Sequence, residues 1–427
     1  MMKTLPLLLL GLAACTEEPA KGCPDGESRA ADGLCYPPVD TGLAESAGVS
    51  LGQLQTLSPV PAPPDAPGNA VADSDAAAAL GRALFEDAGL SAAGDQSCAS
   101  CHLADHDLGG DGALSSDAES VLARNVPPLV GAAWRPWAGW TGACDSMWCA
   151  AAVALEHPGQ LDGDRVSLVH LISANDDLKV QYEGIFGPLP STEGLPLRAR
   201  PEGELAAAWD AMDSASQEAT TAVLVNVAKS WEAWLRQLAP GETALDRYTA
   251  ALTLGDTSGG GHLSDEAIQG LALFATPGSC IRCHSGPMLA GDAFRRTGLP
   301  QGTGPVEEGR PEGLAAVLAN PFNGAGAWSD DPDAGQLVLD EAEETGALPG
   351  AFRPASLRTL SRTAPYMHDG QLQTLADVVG FYSVLDAEPA VGERDPEMSP
   401  LLLGEGEVAA LLAFLDAVQA PPSEGLR

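Results

Sequence analysis

Positive charge is scarce in this chain. Lys and Arg number 22 against 59 Asp and Glu, a net charge of −37 over 427 residues. Such a surface repels phosphates instead of releasing their counterions, which excludes nucleic acid as a partner. Aromatic residues are few, at 5%, while Gly (48) and Pro (34) are plentiful. The chain is therefore expected to be rich in loops, with a core that gains bulk from something other than amino acids. Global disorder is excluded by 45% hydrophobic against 19% charged residues, and the length suits two main domains. No apolar run approaches the about 18 residues of a spanning helix, and strand-like alternation is nearly missing.

The first 14 residues read as an export signal: Lys3, the apolar run 7–10, then Leu12-Ala13-Ala14 before Cys15. This ending resembles a bacterial lipoprotein signal, which implies lipidation at Cys15 and a lipid-anchored protein on the periplasmic side of a bacterial membrane. Residues 15–70 are acidic and rich in Pro, Gly and Ala, and read as a tether with a small Cys-bounded loop. Two haem-sized units are expected beyond it, at 71–255 and 256–427, with the Gly-rich stretch 254–261 as their boundary. Helices are expected at 75–88, at 217–238 with Trp231 and Trp234 on its core face, and after Ser264, Thr374 and residue 407.

Cysteine spacing carries the chemistry. Four of the nine cysteines form two CxxCH motifs, Cys98-Ala99-Ser100-Cys101-His102 and Cys280-Ile281-Arg282-Cys283-His284. Two thiols at this spacing can form thioethers to one porphyrin, and the adjacent imidazole then reaches its iron. A zinc ribbon would hold its two CxxC pairs roughly 15 to 20 residues apart, far closer than Cys101 and Cys280. Two covalent haem c groups are the expectation. Cys23 with Cys35, and Cys144 with Cys149, are candidate local disulfides in an oxidising compartment.

The chain resembles the di-haem bacterial cytochrome c peroxidase and MauG family. The likeness is carried by LGRALFEDAGLSAAGDQSCASCH (80–102), RNVPPLVGAAWRPWAGW (124–140), LSDEAIQGLALFATPGSCIRCHSGP (263–287) and FRPASLRTLSRTAPYMHDGQLQTLADVVGFY (352–382). It implies a mostly α protein of two cytochrome c-like haem domains with long loops, the haems facing a shared interface and a calcium ion between them. By position, His102 is the proximal ligand of the peroxide-reactive N-terminal haem and His284 that of the electron-transferring C-terminal haem. Tyr382 falls at the second axial position of the latter, where peroxidases carry Met and MauG-like members carry Tyr. A phenolate favours ferric and high-valent iron. Met367 is an alternative ligand on chemical grounds, and Tyr382 packed on a helix face is the bland reading. Trp140 matches a tryptophan between the haems, although a plain core role suits it nearly as well. Asn125, Thr363 and Pro365 match the calcium site, and Arg358 and His368 match positions serving a haem propionate or a hydrogen-bond network.

The chain also departs from the family. The distal acid/base glutamate is replaced by Gln160, which cannot shuttle a proton, so His157 or Glu156 would have to substitute. The motif after Trp140 is altered to Thr141-Gly142-Ala143 and followed by the extra pair Cys144 and Cys149. Ala118 stands where peroxidases have a histidine that blocks the N-terminal haem, which implies an open haem. His106, His170 and His262 have no functional case. The expected activity is peroxidase-like, reducing hydrogen peroxide with electrons from a small cytochrome c, a cupredoxin or a partner protein oxidised by the enzyme. A non-enzymatic electron carrier or haem sensor is the rival, favoured by Gln160 and Ala143.

Overall fold

The computed structural model describes residues 48–112, 124–276, 280–300, 302 and 306–426, with the backbone of 28–29 and 35–36. Its regular elements are helices joined by long loops; the one ladder among the described residues pairs Ser28–Arg29 antiparallel with Cys35–Tyr36. The helices start where short polar side chains can satisfy free N–H groups. Ser264 accepts from Ala267 N at the head of Asp265–Ala275, with Asp265 and Glu266 in the first turn. Thr374 and Asp377 close a reciprocal box at the head of Leu375–Val384. The long helix runs Ser214–Leu235, and Trp231 and Trp234 are buried in it as core residues.

Each half is built on one helix crossing another at a glycine. Asp75–Phe85 packs on Ser214–Leu235, and Asp265–Ala275 packs on Glu405–Ala417. A Cβ on Gly81 would sit 2.1 Å from Ser230 O, and one on Gly270 would sit 1.9 Å from Ala410 O, so only hydrogen fits at either crossing. Both glycines open the same five-residue pattern, Gly-Xaa-Ala-Leu-Phe, at 81–85 and 270–274. Its phenylalanine meets an aromatic of the partner helix in each half: Phe85 with Trp234 at 4.7 Å and Phe274 with Phe414 at 4.9 Å.

Two hydrophobic cores follow these crossings, and their membership corrects the expected boundaries. Leu54 and Leu57, from a helix Leu51–Leu57 inside the supposed tether, are fully buried in the C-terminal core. Leu245, Tyr248 and Leu252 of Ala244–Thr253, assigned above to the first unit, lie in that core as well. The tether reading fails from residue 48 onward because the apolar i, i+3, i+6 set Leu51, Leu54 and Leu57 finds a groove to fill. The chain then crosses to the other half, where Arg236 binds Asp73 and the carbonyl of Pro64, and Asn69 donates to Glu232. A third, small cluster joins Trp137 to Leu314, Val317, Leu339 and Ala342 of the helices Arg310–Ala319 and Pro332–Thr345. No helix of the described residues is long and apolar enough to cross a membrane.

Candidate functional site

The two CxxCH motifs adopt the same local structure. Each forms a single tight turn, Cys98–Ser100 or Cys280–Arg282, that brings the histidine N–H onto the first cysteine's carbonyl, at 2.9 Å for His102 and 2.8 Å for His284. The Nδ1 of His102 lies 2.6 Å from Leu108 O, and that of His284 lies 3.0 Å from Leu289 O. Leu108 (φ 58°) and Leu289 (φ 48°) both hold a left-handed backbone, which aims these carbonyls at the rings. That conformation costs a branched residue about 1 kcal/mol and persists only where surrounding structure imposes it. With Nδ1 engaged, each imidazole presents Nε2 as its metal-binding nitrogen. Burial lowers the His102 pKa and takes that of His284 to about 4, keeping both rings in the neutral form that ligates iron. Burial likewise pushes the Cys98 thiol up to about 12 and raises those of Cys101 and Cys283.

The C-terminal motif opens into a mostly apolar cavity of about 220 Å³. Cys280, Cys283 and His284 line it together with Tyr382 from Leu375–Val384. Two thiols, an imidazole and a phenol lining one apolar slot suit a covalently held haem, and the slot explains why so few aromatics suffice to fill this half. Burial raises the Tyr382 hydroxyl above its ordinary range in the protein alone. Met367 and Trp140 also face the cavity, as do Met398, Arg295 and Arg353, for which the sequence offered no signal. Arg353 donates from Nε to Gly139 O, and its other side-chain N–H groups have no partner among the described residues.

Asn125 ties several predicted residues together. Its N–H donates to His368 O at 2.6 Å, its Nδ2 to Pro365 O at 2.5 Å, and its carbonyl accepts from Trp140 Nε1 at 2.7 Å. Its Oδ1 is buried with no hydrogen-bond partner, an oxygen of the kind a hard cation takes. Thr363 lies on the same turn as Pro365, and both line the cavity. His368 stacks on Phe352 at 3.7 Å, with Glu307 3.8 Å from its Nε2.

Arg358 belongs to a hydrogen-bond network. It is fully buried, pairs through Nη1 and Nη2 with both Asp246 oxygens (2.7 and 2.9 Å), and donates to the carbonyls of Pro287 and Leu57. Its fork knits the second CxxCH loop to the first described helix and engages four of its five N–H donors within the protein. Asp246 lies far away in sequence, so spacing gave no hint of the pair.

Glu156, His157 and Gln160 lie at the end of one helix and on the turn after it. Glu156 ends the helix Met147–Glu156 and meets Arg165 through both oxygens, Oε1 to Nε at 2.9 Å and Oε2 to Nη2 at 2.5 Å. His157 and Gln160 are exposed on the turn that follows, where His157 Nδ1 accepts from Gly159 N. After the N-terminal CxxCH, the buried Asp107 pairs with Arg362 at 2.6 Å, joining that loop to the other half of the chain. Cys144 and Cys149 form a disulfide. Cys15, Cys23 and Ala118 lie outside the described residues.

Comparison with known proteins agrees with this geometry. A model of the family described as di-haem cytochrome c peroxidase matches residues 75–253. The chain is 29% identical to cytochrome-c peroxidase IdrP1 of Denitromonas iodatirespirans, covering 90% of this chain and 91% of that protein. It is also 29% identical to methylamine utilization protein MauG of Methylorubrum extorquens, over 81% of this chain and 78% of that one. Among solved structures, the diheme peroxidase BthA of Burkholderia thailandensis superposes with a TM-score of 0.56 at 18% identity, covering 82% of this chain and 87% of that chain. A MauG-like protein associated with microbial copper homeostasis also gives 0.56, at 21% identity, covering 84% and 95%.

Proposed function

The chain belongs to the di-haem cytochrome c peroxidase and MauG family, and from that premise we propose that it is an exported oxidoreductase that reduces hydrogen peroxide. The family's cofactor is a pair of c-type haems, which supply electrons to peroxide when bound. Cys98, Cys101 and His102 hold one of them here, and Cys280, Cys283, His284 and Tyr382 the other. The observation that carries the reading is the shared wall of the C-terminal cavity, which Tyr382 lines together with the CxxCH thiols and imidazole. Trp140 carries an electron across this wall, and Arg353, with unspent N–H groups, meets a carboxylate of the cofactor. Calcium is held by oxygens of Asn125, Thr363 and Pro365, supported by the unpartnered Asn125 Oδ1. Electrons come from a small cytochrome c, a cupredoxin, or a side chain of a partner protein. A net charge of −37 favours a basic donor, whose reaction slows as salt rises. Lipidation at Cys15 holds the protein to the periplasmic side of the membrane.

A specific observation favours a second reading, an electron carrier or haem sensor. Glu156 has both oxygens on Arg165, while His157 and Gln160 face solvent, so none of the three is poised as a buried proton shuttle. Rapid mixing of the haem-loaded protein with one equivalent of peroxide separates the two. Fast loss of the ferric Soret band supports peroxide chemistry, and loss from the fully ferric state marks it as MauG-like. An unchanged spectrum from both the ferric and half-reduced states leaves the carrier or sensor.

A further inference from the structure

Trp140 sits at the tip of a short hairpin with little of its own to keep it in place. Ala138 and Cys144 form its only bridge, Ala138 N donating to Cys144 O at 2.9 Å. Between them, Gly139 (φ 71°) and Gly142 (φ 66°) hold left-handed conformations that leave the unfolded loop many alternatives. Bonds from elsewhere reach the hairpin's carbonyls: Arg353 N to Trp140 O at 2.8 Å, and Arg310 Nη1 to Thr141 O and Gly142 O at 3.0 and 2.9 Å. At the base of the hairpin, Cys144 is bonded to Cys149 in the first turn of Met147–Glu156. Both sulfurs are buried, and Asn320 Nδ2 lies against them at 3.6 and 3.3 Å.

We propose that the Cys144–Cys149 disulfide is a positioning device that anchors the Trp140 hairpin to the helix Met147–Glu156. It thereby keeps the indole in the cavity wall, with its N–H on Asn125 O. The bridge replaces, covalently, the side-chain anchoring that Thr141 and Ala143 are too small to give. This inference rests on the reading of Trp140 as the electron path between the two haems. In that path one electron leaves one haem and is taken up by the other, and the indole N–H stays on Asn125 O throughout, so no bond or proton is exchanged.

The test uses the full-length, haem-loaded protein and three variants: Cys144→Ser with Cys149→Ser, Trp140→Phe, and all three changes together. Flash photoreduction followed by absorbance gives the rate of equilibration between the haems. Hydrogen exchange at Ala138 and Arg353, whose amides bind the hairpin, gives a readout independent of activity. The expected result is at least a tenfold loss of protection at those amides in the serine variant, with protection in Ser214–Leu235 unchanged. Equilibration slows about as much as in Trp140→Phe, and the triple variant is no slower than either. Should the serine variant fail to load haem, Cys144→Ala with Cys149→Val restores the buried volume and faces the same criteria. Wild-type equilibration in the disulfide variants beside a slow Trp140→Phe overturns the positioning role and leaves the relay standing. A Trp140→Phe protein as fast as wild type removes the relay and the proposal with it.

Discussion

The two CxxCH sites are alike at the proximal side and unlike everywhere else. Both histidines bind the carbonyl of a left-handed leucine, and both motifs follow a helix whose Gly-Xaa-Ala-Leu-Phe segment lies against a partner helix. Around this common base, the C-terminal site gathers Tyr382, Trp140 and Arg353 onto one cavity. In the N-terminal half, two carboxylates are instead taken by arginines: Glu156 by Arg165 and Asp107 by Arg362. A fold repeat thus preserves how each histidine is held, while the surroundings of each motif are free to diverge.

The sharpest way to separate the halves is to unlock the second alone. Asp246→Asn breaks a fully buried pair with Arg358 and is expected to cost about 3 to 5 kcal/mol, read as a lower denaturation midpoint of the C-terminal half. Burial opposes ionisation of Asp246, but the Arg358, Ser58 and Thr243 bonds outweigh it and hold its carboxyl below the ordinary value of 3.8. The stability it contributes is present above that value and is lost as pH falls through the lower folded one. Wild type should therefore lose stability through this acid window, and the asparagine variant should lack that step. An identical acid profile for the two proteins would refute the assignment.

A gentler change tests the shared base. Gly81→Ala and Gly270→Ala each push a methyl group onto a backbone carbonyl and should cost about 1 to 3 kcal/mol. The first should lower haem loading at the N-terminal motif and the second at the C-terminal one, checked by haem mass on proteolytic halves. Equal losses at both motifs from either change would show that the halves do not fold as separate cores. Smallest in stability is Tyr382→Phe, expected within about 1 kcal/mol. It should shift the electronic and magnetic spectrum of one haem and leave the other unchanged. Two unchanged haem spectra would exclude Tyr382 as an axial ligand.

Much of this was legible in the sequence where a short pattern has one physical meaning. CxxCH, the Ser264 and Thr374 caps and the spacing of Trp231 and Trp234 each report a local geometry, and each lies where it was read. What escaped depends on distant partners. Arg358 stood at a motif position, but its use was decided by Asp246. Arg353 faces the cavity only because Gly139 and Trp140 fold back onto it. The helix Leu51–Leu57 is short and set among Pro- and Gly-rich sequence, so its three leucines gave no sustained period. The twin Gly-Xaa-Ala-Leu-Phe segments were visible as letters, yet only the crossing distances explain them.

That first short helix also dictates an order of assembly. Leu54 and Leu57 share a core with Leu271, Phe414 and Val418, which come much later in the chain. Apart from Phe322, the buried residues of the N-terminal core end at Leu238, whereas the second core stays unfinished until the last helix is delivered. The earliest described helix is therefore a latch that closes late, completing a core whose other members come from far along the chain.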